Sequence, residues 1–266
     1  MIDKNLESNL QKEQLNILRE LSKILDRENI PFFLAYGTML GCIRHNGFIP
    51  WDDDVDIYIW GKDYPRLKSY FMNHKTGFLQ FHDFETVQGY PYVFPKVVDG
   101  RTQLKEKTYS HLGYMSGVYI DIFPLFEVED NPVLFALHDK MRYLRYALIK
   151  SYYVDDKRYR FPRNILIKIL KKFVNPDKIQ KTLYQTYIGK HKGSRLTEPN
   201  IFGKHSLVRK TVFDKPTYHK YEGLSMPIPS EYDEYLTTMY GEYMKLPPED
   251  QRVHTHSFAI LQYKGI

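Results

Sequence analysis

Apolar residues recur with two different periods along this chain, and the changes between them outline its elements. Over residues 8–28, Leu10, Leu15, Ile17, Leu18, Leu21, Ile24 and Leu25 repeat at helical spacing, with charges on the opposite face. Ser8 is placed to cap that helix, and Asn29 with Pro31 to end it. Residues 32–36 read as a short buried strand that breaks at Gly37, and residues 39–43 as a short helix opening at Gly37-Thr38. From Asp52 the period becomes two. Asp52, Asp54 and Asp56 then share one face of a strand, and Asp53, Val55, Ile57 and Ile59 the other.

Further on, the pattern predicts a helix over 63–72, with Asp63 placed to cap it, and a strand over 78–82. Residues 92–98 and 102–106 flank Asp99-Gly100 and read as a hairpin. Residues 118–123 form a strand that Pro124 stops, with Asp121 alone among apolar neighbours. Helices follow over 131–151, 163–174 and 176–190, then short strands near 212–213 and 218–224, then a helix over 231–240 capped by Ser230. The 163–174 helix has a basic face, which suits either a membrane surface or an ordinary lysine-rich exterior.

Composition narrows the classes. With 266 residues, 42% hydrophobic and 26% charged, the chain supports a packed core. Cys42 is the single cysteine, so intramolecular disulfides and zinc sites with two or more Cys ligands are excluded, as in a reducing cytosol. There is no apolar run long enough to span a bilayer and no signal-like start, so a cytoplasmic protein is expected. The net charge of +6 is unevenly spread. Residues 140–220 hold 21 Lys and Arg against five Asp and Glu, and the rest of the chain holds 17 against 27. The basic segment would attract polyanions or the anionic inner leaflet.

The acidic part carries the candidate chemistry. Three carboxylates on one face of a core strand repel one another, and a hard divalent cation with oxygen ligands removes that penalty. A lone Asp121 in a buried strand calls for a metal or a base role. Gly37-Thr38 at a helix start offers backbone N–H groups and a hydroxyl to an anion, and glycine leaves a phosphate room to approach.

This order of features resembles the nucleotidyltransferase superfamily, with Gly37-Thr38, Asp54, Asp56 and Asp121 at the matching places. The segment AYGTMLGCIRHNGFIPWDDDVDIYI is more specific: it resembles the signature of the LicD family of phosphocholine transferases, related to fukutin-type phosphotransferases. VYIDIFPLF and MYGEYMKLPPEDQR resemble that family's later blocks. The resemblance implies an α+β fold: a nucleotidyltransferase-like core with a mixed sheet over 1–130, then a mainly helical, basic lobe over 131–266, or one continuous domain. It implies Mg²⁺, with Mn²⁺ as a substitute, on Asp52, Asp54, Asp56 and Asp121. It implies a CDP-choline donor and a sugar hydroxyl of a glycan, free or undecaprenyl-linked, as acceptor. Teichoic acid, lipopolysaccharide and capsule are acceptors of that type. CDP-activated glycerol or ribitol phosphate is an alternative donor.

Within that scheme Asp54, Asp56 and Asp121 are catalytic, Asp121 as metal ligand or general base. Gly37, Thr38, Arg44 and Lys96 hold phosphate oxygens, and His45 donates to phosphate or supports a neighbour. Choline needs an aromatic cage, for which Tyr36, Trp51, Tyr90, Tyr92, Tyr109 and Tyr119 are candidates. Arg252, His254 and His256 could close over the nucleotide. Two other classes stand beside this reading: a non-catalytic glycan or membrane binder, and a nucleotidyltransferase acting on nucleic acid. The intact carboxylates oppose the first and the opening block opposes the second, so no nucleic-acid partner is expected.

Overall fold

The computed structural model describes residues 4–155, 157, 159–187, 192–203, 207–254 and 258–263, with the backbone alone described at 4–9, 110 and 258–263. The long helix α1 (Lys4–Arg27) buries Leu10, Ile17, Leu18, Leu21 and Leu25, one stripe at helical spacing, against strands of the central sheet. It ends where Asn29 turns left-handed at φ 49°. Strand β1 (Phe32–Leu34) follows, then helix α2 (Tyr36–His45), closed by Asn46 in the left-handed region.

The sheet is mixed. Strand β2 (Asp56–Trp60) pairs antiparallel with β1 and parallel with β6 (Tyr119–Val128). Strand β4 (Lys96–Asp99) lies antiparallel on the other side of β6, and β3 (Leu79–His82) forms the far edge. Between β2 and β3 runs helix α3 (Tyr64–Asn73), whose capping position Asp63 makes no side-chain cap. Helix α4 (Pro132–Tyr153) starts at Asn131, whose side chain accepts from the Val133 and Leu134 N–H groups. Helices α5 (Arg163–Phe173) and α6 (Pro176–Tyr187) pack on α4. Strands β7 (Arg195–Thr197) and β8 (Val208–Arg209) then extend the same sheet, β7 pairing with the distal half of β6. The hairpin β9 (Pro216–Tyr221) and β10 (Leu224–Pro229) packs near β1 and α2, and α7 (Tyr232–Tyr240) follows.

The α+β expectation holds, and five local expectations are corrected. The strand expected from Asp52 begins only at Asp56, and residues 52–55 are irregular. Pro124 does not stop its strand: β6 runs on to Val128. Pro124 lies between the stretches that pair with β4 (119–121) and β7 (126–128), so neither antiparallel neighbour there needs its missing N–H. The chain turns at Asp99-Gly100 without forming the expected hairpin. Instead β5 (Thr102–Glu106) leaves β4 and pairs with β11 (Phe258–Tyr263). Residues 210–213 are a 3₁₀ turn, not a strand, and the last helix is preceded by Glu231, not capped by Ser230.

Candidate active site

Three neighbouring strands bring Asp56, Asp121 and Lys96 into one row. Asp56 on β2 is in register with Asp121 on β6, and Asp121 with Lys96 on β4. Residues in register project to the same face, so one face carries two carboxylates and an ammonium. All three are buried. Lys96 Nζ donates to Asp121 Oδ1 at 2.6 Å and lies 4.0 Å from Glu106 Oε1.

The irregular segment before β2 supplies the remaining acids. Among the described residues, the carboxylates that converge to within 4.8 Å of one another belong to Asp52, Asp53 and Asp54. The α1 helix fixes this segment: Gln11 donates to the Asp52 carbonyl at 3.1 Å and Gln14 to the Asp53 carbonyl at 2.9 Å. Asp53 was expected on the opposite face. Because no strand exists there, the alternation argument does not apply, and Asp53 is buried beside its neighbours.

The electrostatics fit a bound cation. Burial raises the Asp56 carboxyl well above its usual range, and Asp54, Asp121 and Asp52 raise it further, with Lys96 opposing. Asp56 Oδ1 is buried and accepts no hydrogen bond. Burial pushes Asp121 up to about 6 against the pull of Lys96. Hard carboxylate oxygens, one of them orphaned, are the donor set that a small divalent cation takes.

The start of α2 differs from expectation. Thr38 is buried, and its hydroxyl oxygen accepts from the Asp56 N–H at 2.9 Å, so Thr38 positions the acid strand. A Cβ on Gly37 would lie 2.6 Å from Asp52 Oδ2. The anion that Gly37 admits is therefore the protein's own Asp52 carboxylate, set against the N-terminal turn of a helix. Lys96, expected at phosphate, is enclosed instead. Its ammonium lies 3.4 Å from the Tyr119 ring centre and 4.1 Å from that of Tyr92.

Arg44 also has structural partners. It donates through Nη1 to the Tyr243 carbonyl at 2.8 Å and to the Lys245 carbonyl at 3.4 Å. Burial and Arg44 lower the pKa of His45, which is therefore neutral at pH 7. The His45 ring meets Trp51 edge-on at 6.1 Å.

Beside the acids opens a cavity of about 500 Å³. Gly37, Arg44, Trp51, Asp52, Tyr240, Glu242 and Tyr243 are among the residues that line it. Of the six aromatics expected as a cage, Trp51 alone lines it. Tyr90, Tyr92 and Tyr119 are core residues, Tyr109 accepts from Lys150 at 2.6 Å, and Tyr36 donates to Glu198. Periodicity did not single out Tyr240 and Tyr243. Burial raises the Tyr240 hydroxyl pKa, and so do Asp56, Asp52 and Asp54, and Tyr240 lines the cavity together with Asp52. Arg252 stacks 5.4 Å from the Trp51 ring centre, while Gln251 and Val253 line the cavity. His254 is half-buried, and His256 lies outside the described residues.

Adjacent parallel strands that present aligned carboxylates, reached from an irregular acidic segment, define an enzyme of the nucleotidyltransferase-like transferase class. Residues 29–166 match the family described as LicD/FKTN/FKRP, nucleotidyltransferase domain. The chain is 32% identical over 254 residues to the lipopolysaccharide cholinephosphotransferase LicD of Haemophilus influenzae, covering 90% of this chain and 92% of that one. It also matches uncharacterised proteins of Rickettsia prowazekii and Rickettsia typhi, each 40% identical over 47 residues, or 18% of this chain and 18% and 15% of theirs. The chain belongs to the LicD family.

Proposed function

We propose that this enzyme transfers phosphocholine from CDP-choline to a sugar hydroxyl of a cell-surface glycan or its lipid-linked precursor, releasing CMP. The observation that carries this is the near full-length similarity to a lipopolysaccharide cholinephosphotransferase, to which the site adds a fitting chemistry. Teichoic acid and capsule acceptors share the required hydroxyl.

Asp52, Asp54 and Asp56 would hold Mg²⁺ or Mn²⁺, with Asp53 joining from the buried side, which leaves Asp121 to act as the base. A bound cation supplies charge neutralisation for the diphosphate and the departing CMP. The sugar oxygen attacks the phosphorus that bears choline, and the bond from that phosphorus to the CMP oxygen breaks. The hydroxyl proton passes to Asp121, which Lys96 orients through its 2.6 Å hydrogen bond. Trp51, Tyr240 and Tyr243, with Asp52 and Glu242 nearby, offer a quaternary ammonium ring faces and negative charge. Thr38 holds the start of β2, and Arg44 holds the loop that bears Tyr243.

The test is CMP release by the purified chain with CDP-choline, Mg²⁺ and a glycan acceptor. Metal-dependent release that Asp54→Ala removes is expected. Release from CDP-glycerol or CDP-ribitol but not from CDP-choline would overturn the headgroup assignment. No release from any CDP donor would overturn the transfer reaction itself.

A further inference from the structure

The second half of the chain leaves apolar surface in water where helices normally show polar residues. On α5 and just before it, Phe161, Ile165, Leu166, Ile169 and Phe173 are exposed, with Phe161 77% and Phe173 84% accessible. Within α5, Ile165, Ile169 and Phe173 follow at four-residue spacing and share one face that drifts by about 40° per step, and Phe161 lies just before the helix starts. Ile167 is the one residue of α5 that is fully buried, so the core claims little of this helix. The adjacent α4 repeats the feature: Val133, Leu137, Met141 and Leu144 are exposed at spacings of four, four and three.

The charge around the stripe selects its occupant. Helix α5 carries Arg163, Lys168, Lys171 and Lys172 and no acidic residue. It lies in the segment 140–220, where 21 basic residues face five acidic ones. An apolar stripe flanked by cations matches the boundary of an anionic bilayer, where acyl chains take the apolar residues and headgroups the cations. A second copy of the chain fits poorly, because a two-fold contact through α5 would set its four cations against the same four. No described helix is long and apolar enough to cross a membrane. At 11 residues, α5 spans about 16 Å, which suits lying in the interface.

We infer that the exposed faces of α5 and α4 form a peripheral docking surface for an anionic phospholipid bilayer, with Phe161 and Phe173 as the inserting anchors. The surface lies outside the acid site and needs no donor to act, so it can be measured without substrate.

The experiment is vesicle co-sedimentation of the full chain, with phosphatidylcholine vesicles alone or containing about one third phosphatidylglycerol. Binding to the anionic vesicles is expected, weakening as salt rises and falling at least tenfold on neutral ones. The doubly substituted variant Phe161→Ser with Phe173→Ser is expected to bind anionic vesicles about tenfold or more weakly. Its melting temperature is expected to stay near that of the wild type, because both side chains already stand in water. Arg163→Glu with Lys172→Glu tests the charge separately and is expected to remove the preference for anionic vesicles. Equal binding to both vesicle types, or wild-type binding by the double Phe variant, would overturn the inference. A chain that ignores vesicles but forms a dimer that the Phe substitutions dissociate would assign the surface to a second copy instead.

Discussion

Asp56 concentrates the tension of the site in one side chain. Its Oδ1 is buried without a hydrogen bond, and three carboxylates raise its pKa beyond what burial does alone. Asp56→Asn removes one repelling charge and keeps the shape. Without divalent cations the variant should melt higher, by about 2–4 °C per kcal/mol of repulsion relieved, and it should lose transferase activity. Differential scanning calorimetry with chelator, beside a CMP-release assay, checks both. Gly37→Ala acts on the same group from the other side. Its Cβ would meet Asp52 Oδ2 at 2.6 Å, so the carboxylate must swing away. We expect a loss of at least about tenfold in kcat/KM with a small change in stability, read by steady-state kinetics.

Glu198 shows what pattern reading leaves out at this scale. Nothing in its surroundings in the sequence marks it, yet it is buried against Tyr36, and burial lifts its carboxyl to about 7. A carboxyl raised above its unfolded value of 4.5 stabilises the fold fully below that value. That contribution is lost as pH rises through about 7. Glu198→Gln keeps an acceptor for the Tyr36 hydroxyl and cannot ionise. The wild-type melting temperature should fall relative to the variant between about pH 4.5 and 7 and level off above that, and parallel curves across pH 4.5 to 7 would refute this.

At the scale of elements, the acid strand is held by its neighbours. Gln11 and Gln14 of α1 and Thr38 of α2 all bond the backbone of residues 52–56. The last turn of α2 carries Arg44, which holds the carbonyls of Tyr243 and Lys245 on the cavity wall. Arg44→Ala should free that wall. We expect amide exchange over 243–253 to quicken, and KM for the donor to rise more than kcat falls. The helices and the β2 and β6 strands were legible because burial imposes their period. Where a strand gives way to an irregular run, as at 52–55, alternation misassigns faces, and Asp53 was misplaced for that reason. The partner of β5 was hidden because β11 lies about 150 residues away, and an Asp-Gly turn specifies a bend, not a pairing. The Lys96–Asp121 pair was equally hidden, since the register of β4 on β6 depends on contacts distant in sequence.

Across the whole molecule, the later half completes the earlier one. Strand β7 pairs with the distal end of β6, and α6 covers the loop before β4. From α6, Gln180 donates to the Tyr92 carbonyl at 2.8 Å and Tyr184 to the Val93 carbonyl at 2.7 Å. The Tyr187 ring stacks on Phe126 at 4.7 Å. Removing these elements strips the backbone around Tyr92 of its donors and exposes the distal half of β6 as an unpaired edge. Phe33 loses its edge contact with Phe213, and the part of the cavity wall with Tyr240 and Tyr243 disappears. Residues 1–130 alone should therefore form a collapsed state with helical signal, weak near-ultraviolet dichroism and a strong tendency to aggregate. Adding residues 131–266 as a separate chain should restore native dichroism through these contacts. A fragment of residues 1–130 that melts cooperatively, near the temperature of the full chain, would show that the sheet needs neither β7 nor α6.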